Sequence, residues 1–333
     1  MDLGEFRYDL PVSAIAQHPV EPRDAARLLD TRDMSDHVFA DLPDLLAPAD
    51  LVVVNTSRVR RARLRGRRVG TGGEVELLLL ARRPDGGWTA MVSPARRIRP
   101  GVTIEFGGVT AEVTGGPVDG VVEVSFSDET DLDRLGTVPL PPYITTELAD
   151  PERYQTVYAE RVGSAAAPTA GLHFTPAVLR RLEQRGVRRA SVELSVGIGT
   201  FRPITTERIE DHVMHREACV VPPETAEAIR STRRRGGRVV AIGTTTVRTL
   251  ETFSRPDGTV DSGACETDVF LRPGSTFRVV DVLVTNFHVP ASSLLVMLAG
   301  FMGEGWKAVY DTALARGYRF LSFGDAMLAE RSR

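Results

Sequence analysis

Imidazole titrates near neutrality, so histidines in polar loops are the first places to look for proton transfer. His173, His215 and His288 are the candidates for it in this sequence. His173 closes the run Gly163 to Thr175, which is too poor in large apolar residues to form core. Small residues let a backbone pass close to a ligand, and Pro168 fixes a turn. The run therefore has the make-up of a substrate-lining loop, or of a tight crossing before the helix that Thr175-Pro176 opens. His215 has Glu217 two positions on as an orienting carboxylate. His212, His215 and Glu217 together also raise a metal site, but no third histidine at a suitable spacing accompanies them, and a non-metal reading is preferred. His173, His215 and Glu217 are the candidate catalytic residues. Taken singly, each histidine is more often a hydrogen-bonded structural residue.

Such groups act only if strands and turns bring them together. Leu51 to Val54 runs into Asn55-Thr56-Ser57-Arg58, and Val192 to Val196 into Gly197 to Pro203. Val239 to Ile242 is followed by Gly243 to Arg248, and Val279 to Val284 by Thr285-Asn286-Phe287-His288. Short β-branched runs read as buried strands, and ligands of open α/β sheets bind beyond the strands' carboxyl ends. One shared cleft is the expectation. Its candidate substrate-binding residues are Asn55, Thr56, Arg58, Pro168, Thr169, Gly171, Gly197, Gly199, Thr200, Gly243, Thr244, Thr245, Arg248, Glu266, Asn286, His288 and Asp325. Free N–H groups after Gly243 suit a carboxylate or phosphate oxygen, unless one of the threonines simply caps the helix. Gly197-Ile198-Gly199 lacks the further glycine and the acidic residue of a dinucleotide fingerprint, so a nicotinamide cofactor is not expected.

Composition narrows the classes. At 333 residues and 42% hydrophobic, the chain can bury one sizeable core plus a smaller domain. The longest apolar run, around Leu294 to Phe301, is too short to span a membrane, and the N-terminus lacks a signal core, so a cytoplasmic location is expected. Cys219 and Cys265 form no Cys-x-x-Cys pair, which points to neither a disulfide framework nor a zinc knuckle. Lys307 is the only lysine, so Schiff-base chemistry has one poor candidate. Net charge is only −3, yet Arg58, Arg60, Arg61, Arg63, Arg65, Arg67 and Arg68 crowd into eleven residues, and Arg96, Arg97 and Arg99 form a second cluster. These are phosphate-contacting surfaces or a solvated arginine face.

The fold class expected is α/β: a larger domain with a mainly parallel sheet flanked by helices, plus an inserted small antiparallel β-barrel domain. Strand-plus-helix patterns over 1–61 and 151–333 make the discontinuous larger domain. Within 62–150 lie five short segments, Glu74 to Leu80, Trp88 to Val92, Val102 to Phe106, Val109 to Val113 and Val121 to Phe126, separated by glycine turns. That spacing suits the barrel.

Taken in order, several long words resemble one family closely. They are Tyr8-Asp9-Leu10-Pro11, Asn55-Thr56-Ser57-Arg58-Val59, Leu140-Pro141-Pro142-Tyr143-Ile144, Arg153 to Ala159, Ala167-Pro168-Thr169-Ala170-Gly171-Leu172-His173-Phe174-Thr175, His212 to Glu217, Gly243 to Arg248, Thr285 to Pro290, and Tyr318-Arg319-Phe320 with Gly324 to Met327. The chain resembles the S-adenosylmethionine:tRNA ribosyltransferase-isomerases of queuosine biosynthesis over nearly its whole length. It departs at Arg60-Arg61, before Ala62-Arg63-Leu64, and at Ala291-Ser292-Ser293, where the family usually has Ile-Pro and Lys-Ser-Thr.

The resemblance implies transfer and isomerisation of the ribosyl group of S-adenosylmethionine onto 7-aminomethyl-7-deazaguanine at the tRNA wobble position, giving epoxyqueuosine and releasing adenine and methionine. S-adenosylmethionine is then a consumed co-substrate, no catalytic cofactor is expected, and tRNA is the partner, with no obligate protein partner evident. With that resemblance the arginines become tRNA contacts, Arg60, Arg61, Arg63, Arg65, Arg96 and Arg97 among them. A base is needed for the C5′ proton beside the sulfonium, and departing adenine must be protonated or hydrogen-bonded. Two other readings are an S-adenosylmethionine-dependent RNA methyltransferase, whose glycine-rich first turn is not found, and a non-catalytic RNA-binding barrel, which leaves the polar loops without purpose.

Overall fold

The computed structural model describes residues 1–118, 120–130, 132–197 and 204–332. The chain forms two compact units, Met1–Arg58 with Pro142–Arg333, and Val59–Pro141. The segment after Pro141, read from sequence as part of the insertion up to 150, packs with the larger unit. Gln17 donates to the Tyr143 carbonyl at 2.8 Å, and the Tyr143 and Ser322 hydroxyls meet at 2.7 Å.

The larger unit holds a nine-stranded sheet in the order Gly263–Thr267, Glu217–Val221, Arg188–Leu194, Leu51–Asn55, Val239–Ile242, Val282–Asn286, Ala326–Glu330, Arg27–Asp30 and Ser35–Val38. The expected mainly parallel sheet is corrected to a mixed one. Arg188–Leu194, Leu51–Asn55, Val239–Ile242 and Val282–Asn286 run parallel, as do Ala326–Glu330 and Arg27–Asp30. The other neighbours are antiparallel. Arg27–Asp30 and Ser35–Val38 reverse through a short turn. Ala326–Glu330 instead follows two helices, Ser293–Met302 and Trp306–Ala315, and still runs antiparallel to Val282–Asn286, so a helical connection does not by itself make a parallel pair.

Alternation sorts the central strands' side chains onto two faces. Leu51, Val53, Val239, Ala241 and Leu283 enter one core with Val247, Leu250, Leu295 and Leu298. Val52, Val54, Val240, Ile242, Val282 and Val284 enter the other, with Phe39, Phe174, Val178 and Leu182. Both faces being covered explains why these strands read as unbroken apolar runs. Helix Pro176–Gln184 starts where the Thr175 hydroxyl accepts from Val178 N and stops before Gly186, whose φ of +77° suits the left-handed exit. Among the described residues no helix is long and apolar enough to cross a membrane.

The smaller unit is a closed antiparallel barrel of six strands, Val121–Phe126, Trp88–Ser93, Glu74–Arg82, Arg63–Arg68, Thr103–Phe106 and Val109–Val118. The strand absent from the five-segment reading is the arginine run. Leu64 is buried in the barrel core. A Cβ at Gly66 would lie 2.3 Å from Glu105 O and 2.5 Å from the Phe106 ring, so only glycine fits there. Arg63, Arg65 and Arg67 alternate with these two positions and form ion pairs with Glu74 and Glu76 of the next strand.

Candidate active site

A cavity of about 330 Å³ opens in the larger unit beyond the carboxyl ends of Val239–Ile242 and Val282–Asn286. Its wall includes Pro168, Thr169, Gly243, Thr244, Thr245, Asn286 and His288, all expected from sequence, together with Tyr143, Tyr154 and Ser322, which were not. Strand ends supplied the first group. The second sits on turns: Tyr154 closes the 3-10 segment Pro151–Tyr154, and Ser322 follows the left-handed Leu321. Their only sequence signal was the presence of Tyr143 and Tyr154 within long family words.

Gly243, at φ +83°, turns the chain from strand into helix Thr244–Thr252, and among the described residues no side chain caps that helix start. Thr246 instead donates back to Ile242 O at 2.8 Å. The first N–H groups therefore stay available beside the cavity, where they favour a carboxylate or other anionic oxygen. Thr169 donates to Asn286 Oδ1 at 3.0 Å, and Asn286 donates to Leu321 O at 3.1 Å, which ties three cavity loops together. At the Ala291 to Ser293 departure, the Ser292 hydroxyl accepts from Leu295 N at 3.2 Å, so the helix cap is kept.

His288 is the one imidazole among the described residues that lines the cavity. Its Nε2 lies 3.1 Å from the Thr285 hydroxyl, while Nδ1 has no hydrogen-bond partner among the described residues. The backbone around it is held by Tyr310, which accepts from His288 N at 2.8 Å, and by Tyr8, which donates to His288 O. Burial pushes the ring down to about 3 from the usual 6.5. The folded state thus keeps the ring neutral where the unfolded chain takes up a proton. The stability this contributes is complete above about pH 6.5 and is lost as pH falls toward 3. Wild type is expected to lose stability on acidification over this window faster than His288→Gln, by about 1.4 kcal/mol per pH unit. Denaturant melts of both proteins at pH 7, 6 and 5 check this, and parallel curves would contradict it.

His173 lies elsewhere. It is buried against Phe39, ring centres 5.0 Å apart, with Nδ1 3.1 Å from Ala170 O and Nε2 2.9 Å from Gly324 O. A neutral imidazole donates through only one nitrogen, and desolvation holds this one below its ordinary pKa. With both nitrogens facing carbonyls, the ring acts as a brace between the small-residue loop and the Gly324 turn. Gly171 in that loop is required by close approach, since a Cβ would lie 2.2 Å from the Tyr158 hydroxyl.

His215 is exposed and off the cavity wall. Glu217 is buried and engaged: it accepts from Gly197 N at 2.8 Å and forms an ion pair with buried Arg248. Arg248 also donates to Val269 O at 3.3 Å. Asn55 is a framework residue, donating to Leu194 O at 3.0 Å and Thr245 Oγ1 at 3.2 Å and accepting from Ser57 N at 3.0 Å. Thr56 is buried against Val192 O, and Arg58 pairs with Glu152 at 2.6 Å. Asp325 accepts from Arg27 N at 3.0 Å and Arg319 N at 2.8 Å, and Glu266 is exposed on the edge strand Gly263–Thr267. None of these lines the cavity. Gly199 and Thr200 lie outside the described residues.

On the barrel, Arg60 stacks over Trp88 at 4.8 Å, and Arg61 donates to Gly136 O at 2.9 Å. Arg65 keeps 77% of its side chain exposed despite pairing with Glu76, so that pair binds it weakly. Arg96 and Arg97 are exposed and enter no ion pair among the described residues.

Residues 3–329 match a family described as queuosine biosynthesis protein. The chain is 49% identical over 340 residues to the S-adenosylmethionine:tRNA ribosyltransferase-isomerase of Moorella thermoacetica, covering 98% of this chain and 99% of that one. It is 50% identical over 348 residues to the protein of the same name from an Anaeromyxobacter species, covering 100% of both. Its structure is similar to the crystal structure of an S-adenosylmethionine tRNA ribosyltransferase from Thermotoga maritima, with a TM-score of 0.56, 37% identity, and coverage of 97% of this chain and 99% of that one.

Proposed function

We propose that this chain, which belongs to the queuosine biosynthesis protein family, is an S-adenosylmethionine:tRNA ribosyltransferase-isomerase. It moves the ribosyl group of S-adenosylmethionine onto 7-aminomethyl-7-deazaguanine at the tRNA wobble position, isomerises it to give epoxyqueuosine, and releases adenine and methionine. The observation that carries this reading is identity of about half the residues, end to end, with relatives bearing that name.

The cavity fits the chemistry. Its apolar wall of Ala166, Ala167, Pro168 and Leu321 suits a purine face, and the open start of helix Thr244–Thr252 suits the methionyl carboxylate. His288 takes the C5′ proton, which the neighbouring sulfonium makes acidic. Its neutral ring has a free nitrogen for the purpose. Because burial disfavours the imidazolium, the proton is readily passed on, and departing adenine is the acceptor that needs it. Thr285 fixes the ring, and His173 braces the loop that carries Thr169.

Purified protein given S-adenosylmethionine and tRNA bearing the aminomethyl base is expected to release free adenine and methionine in equal amounts. S-adenosylhomocysteine as the product would replace this reading with methyl transfer.

The barrel arginines are proposed to bind the tRNA backbone. Changing Arg96, Arg97 and Arg99 to glutamine is expected to flatten the salt dependence of tRNA binding, by a slope of about 0.7–0.9 for each phosphate no longer neutralised. Changing Arg63 and Arg65, which lean on Glu76, should do less. Filter binding across a sodium chloride series checks both, and an unchanged slope in the first variant would leave that cluster a solvated face.

A further inference from the structure

The chain's two cysteines stand far apart in sequence and meet in the fold, where both are free thiols. Glu217–Val221 and the outermost strand Gly263–Thr267 pair antiparallel with Cys219 directly opposite Cys265, and their Sγ atoms lie 3.6 Å apart. Directly opposed residues of an antiparallel pair have Cα atoms about 4.5–5.5 Å apart and side chains on one face. A disulfide spans about 4.4–6.8 Å between Cα atoms, so side-chain rotation alone can join the sulfurs with the backbone in place. The two thiols differ in access. Cys219 is buried with Ala166, Leu194 and Val196, whereas Cys265 is exposed. Burial, and after it the contact with Cys265, pushes the Cys219 thiol up to about 12. Cys219 is therefore a poor thiolate, and the first attack falls to Cys265.

We propose that Cys219 and Cys265 are a reversible oxidation site for hydroperoxides, in which exposed Cys265 reacts first and buried Cys219 resolves it as a cross-strand disulfide. The Cys265 sulfur attacks a peroxide oxygen, the O–O bond breaks, and the released hydroxide takes up the thiol proton as water. Cys265 is then a sulfenic acid. The Cys219 sulfur attacks the Cys265 sulfur, the S–O bond breaks, and the Cys219 proton leaves with the hydroxide as a second water. The thiol pair is oxidised by two electrons and hydrogen peroxide is reduced by two. The bridge also acts on the sheet. Gly263–Thr267 lies at its rim and is exposed from Gly263 to Glu266, so a covalent tie to Glu217–Val221 pins the strand that solvent reaches most easily.

The test treats the purified full chain with a small excess of hydrogen peroxide and maps its cysteines by peptide mass spectrometry. A linked pair of peptides carrying Cys219 and Cys265 from one chain is expected, and dithiothreitol should restore both thiols. Amide hydrogen exchange over Gly263–Thr267 should slow by about tenfold in the oxidised protein. Cys219→Ala, which keeps a small apolar side chain beside Ala166 and Val196, should instead accumulate Cys265 as sulfinic acid. Cys265→Ser should leave Cys219 a free thiol. Sulfinic acid at Cys265 of the wild type with Cys219 still free, a bridge between two chains, or unchanged exchange in the bridged protein would overturn the proposal. Oxidation of Cys219 in Cys265→Ser would overturn the assignment of Cys265 as the attacking thiol.

Discussion

His288→Gln is expected to lower the single-turnover rate of adenine release by about 10²–10⁴-fold, the range for loss of a positioned acid–base group. Binding of S-adenosylmethionine should change little. Glutamine keeps a side-chain amide near Thr285 but has no basic nitrogen, so the comparison isolates proton transfer. His215→Ala, at an exposed position off the cavity wall, is expected to turn over near the wild-type rate. Rapid-quench measurement of adenine in both variants checks the contrast. Full activity in His288→Gln, or a large loss in His215→Ala, would move the base elsewhere. Because desolvation keeps the His288 ring uncharged down to about pH 3, the wild-type rate should show no acidic limb near 6.5 from this group.

The ion pair of Glu217 and Arg248, both buried, sets the second large effect. Glu217→Ala leaves a guanidinium in the interior without its carboxylate and is expected to destabilise the fold by about 3–5 kcal/mol. It also removes the acceptor for Gly197 N. The double change Glu217→Leu with Arg248→Met should recover part of that loss, since it strands no charge. Urea melts of wild type and both variants measure this. A loss under about 1 kcal/mol in Glu217→Ala would mean that water reaches the pair.

Much of the cavity was readable because its framework obeys local rules. Val239–Ile242 and Val282–Asn286 are buried on both faces, so they show as short β-branched runs, and the polar residues just after them mark the strand ends that line the cavity. His173 lies off the cavity wall for a physical reason. Small neighbours that allow a ligand to approach equally allow two carbonyls to do so, and in the fold Ala170 and Gly324 take those places. Tyr154 was missed because it reaches the cavity wall from the short 3-10 segment Pro151–Tyr154, which no strand end announces. The sheet was read as mainly parallel because strands and helices alternate in sequence, but alternation does not fix direction: Ala326–Glu330 follows two helices and still runs antiparallel to Val282–Asn286. The strand Arg63–Arg68 was hidden by its composition, since Leu64 is its one buried residue.

In the proposed reaction the ribosyl carbons, and not the methyl group, leave S-adenosylmethionine for the tRNA. Doubly labelled S-adenosylmethionine, with one isotope in the ribose and a second in the methyl group, distinguishes these two fates in a single experiment. It is supplied with tRNA bearing 7-aminomethyl-7-deazaguanine, and both labels are followed by mass spectrometry. Ribosyl transfer places the ribose label in the modified wobble nucleoside and the methyl label in free methionine. Methyl label in the tRNA, with the ribose label retained in S-adenosylhomocysteine, would contradict it.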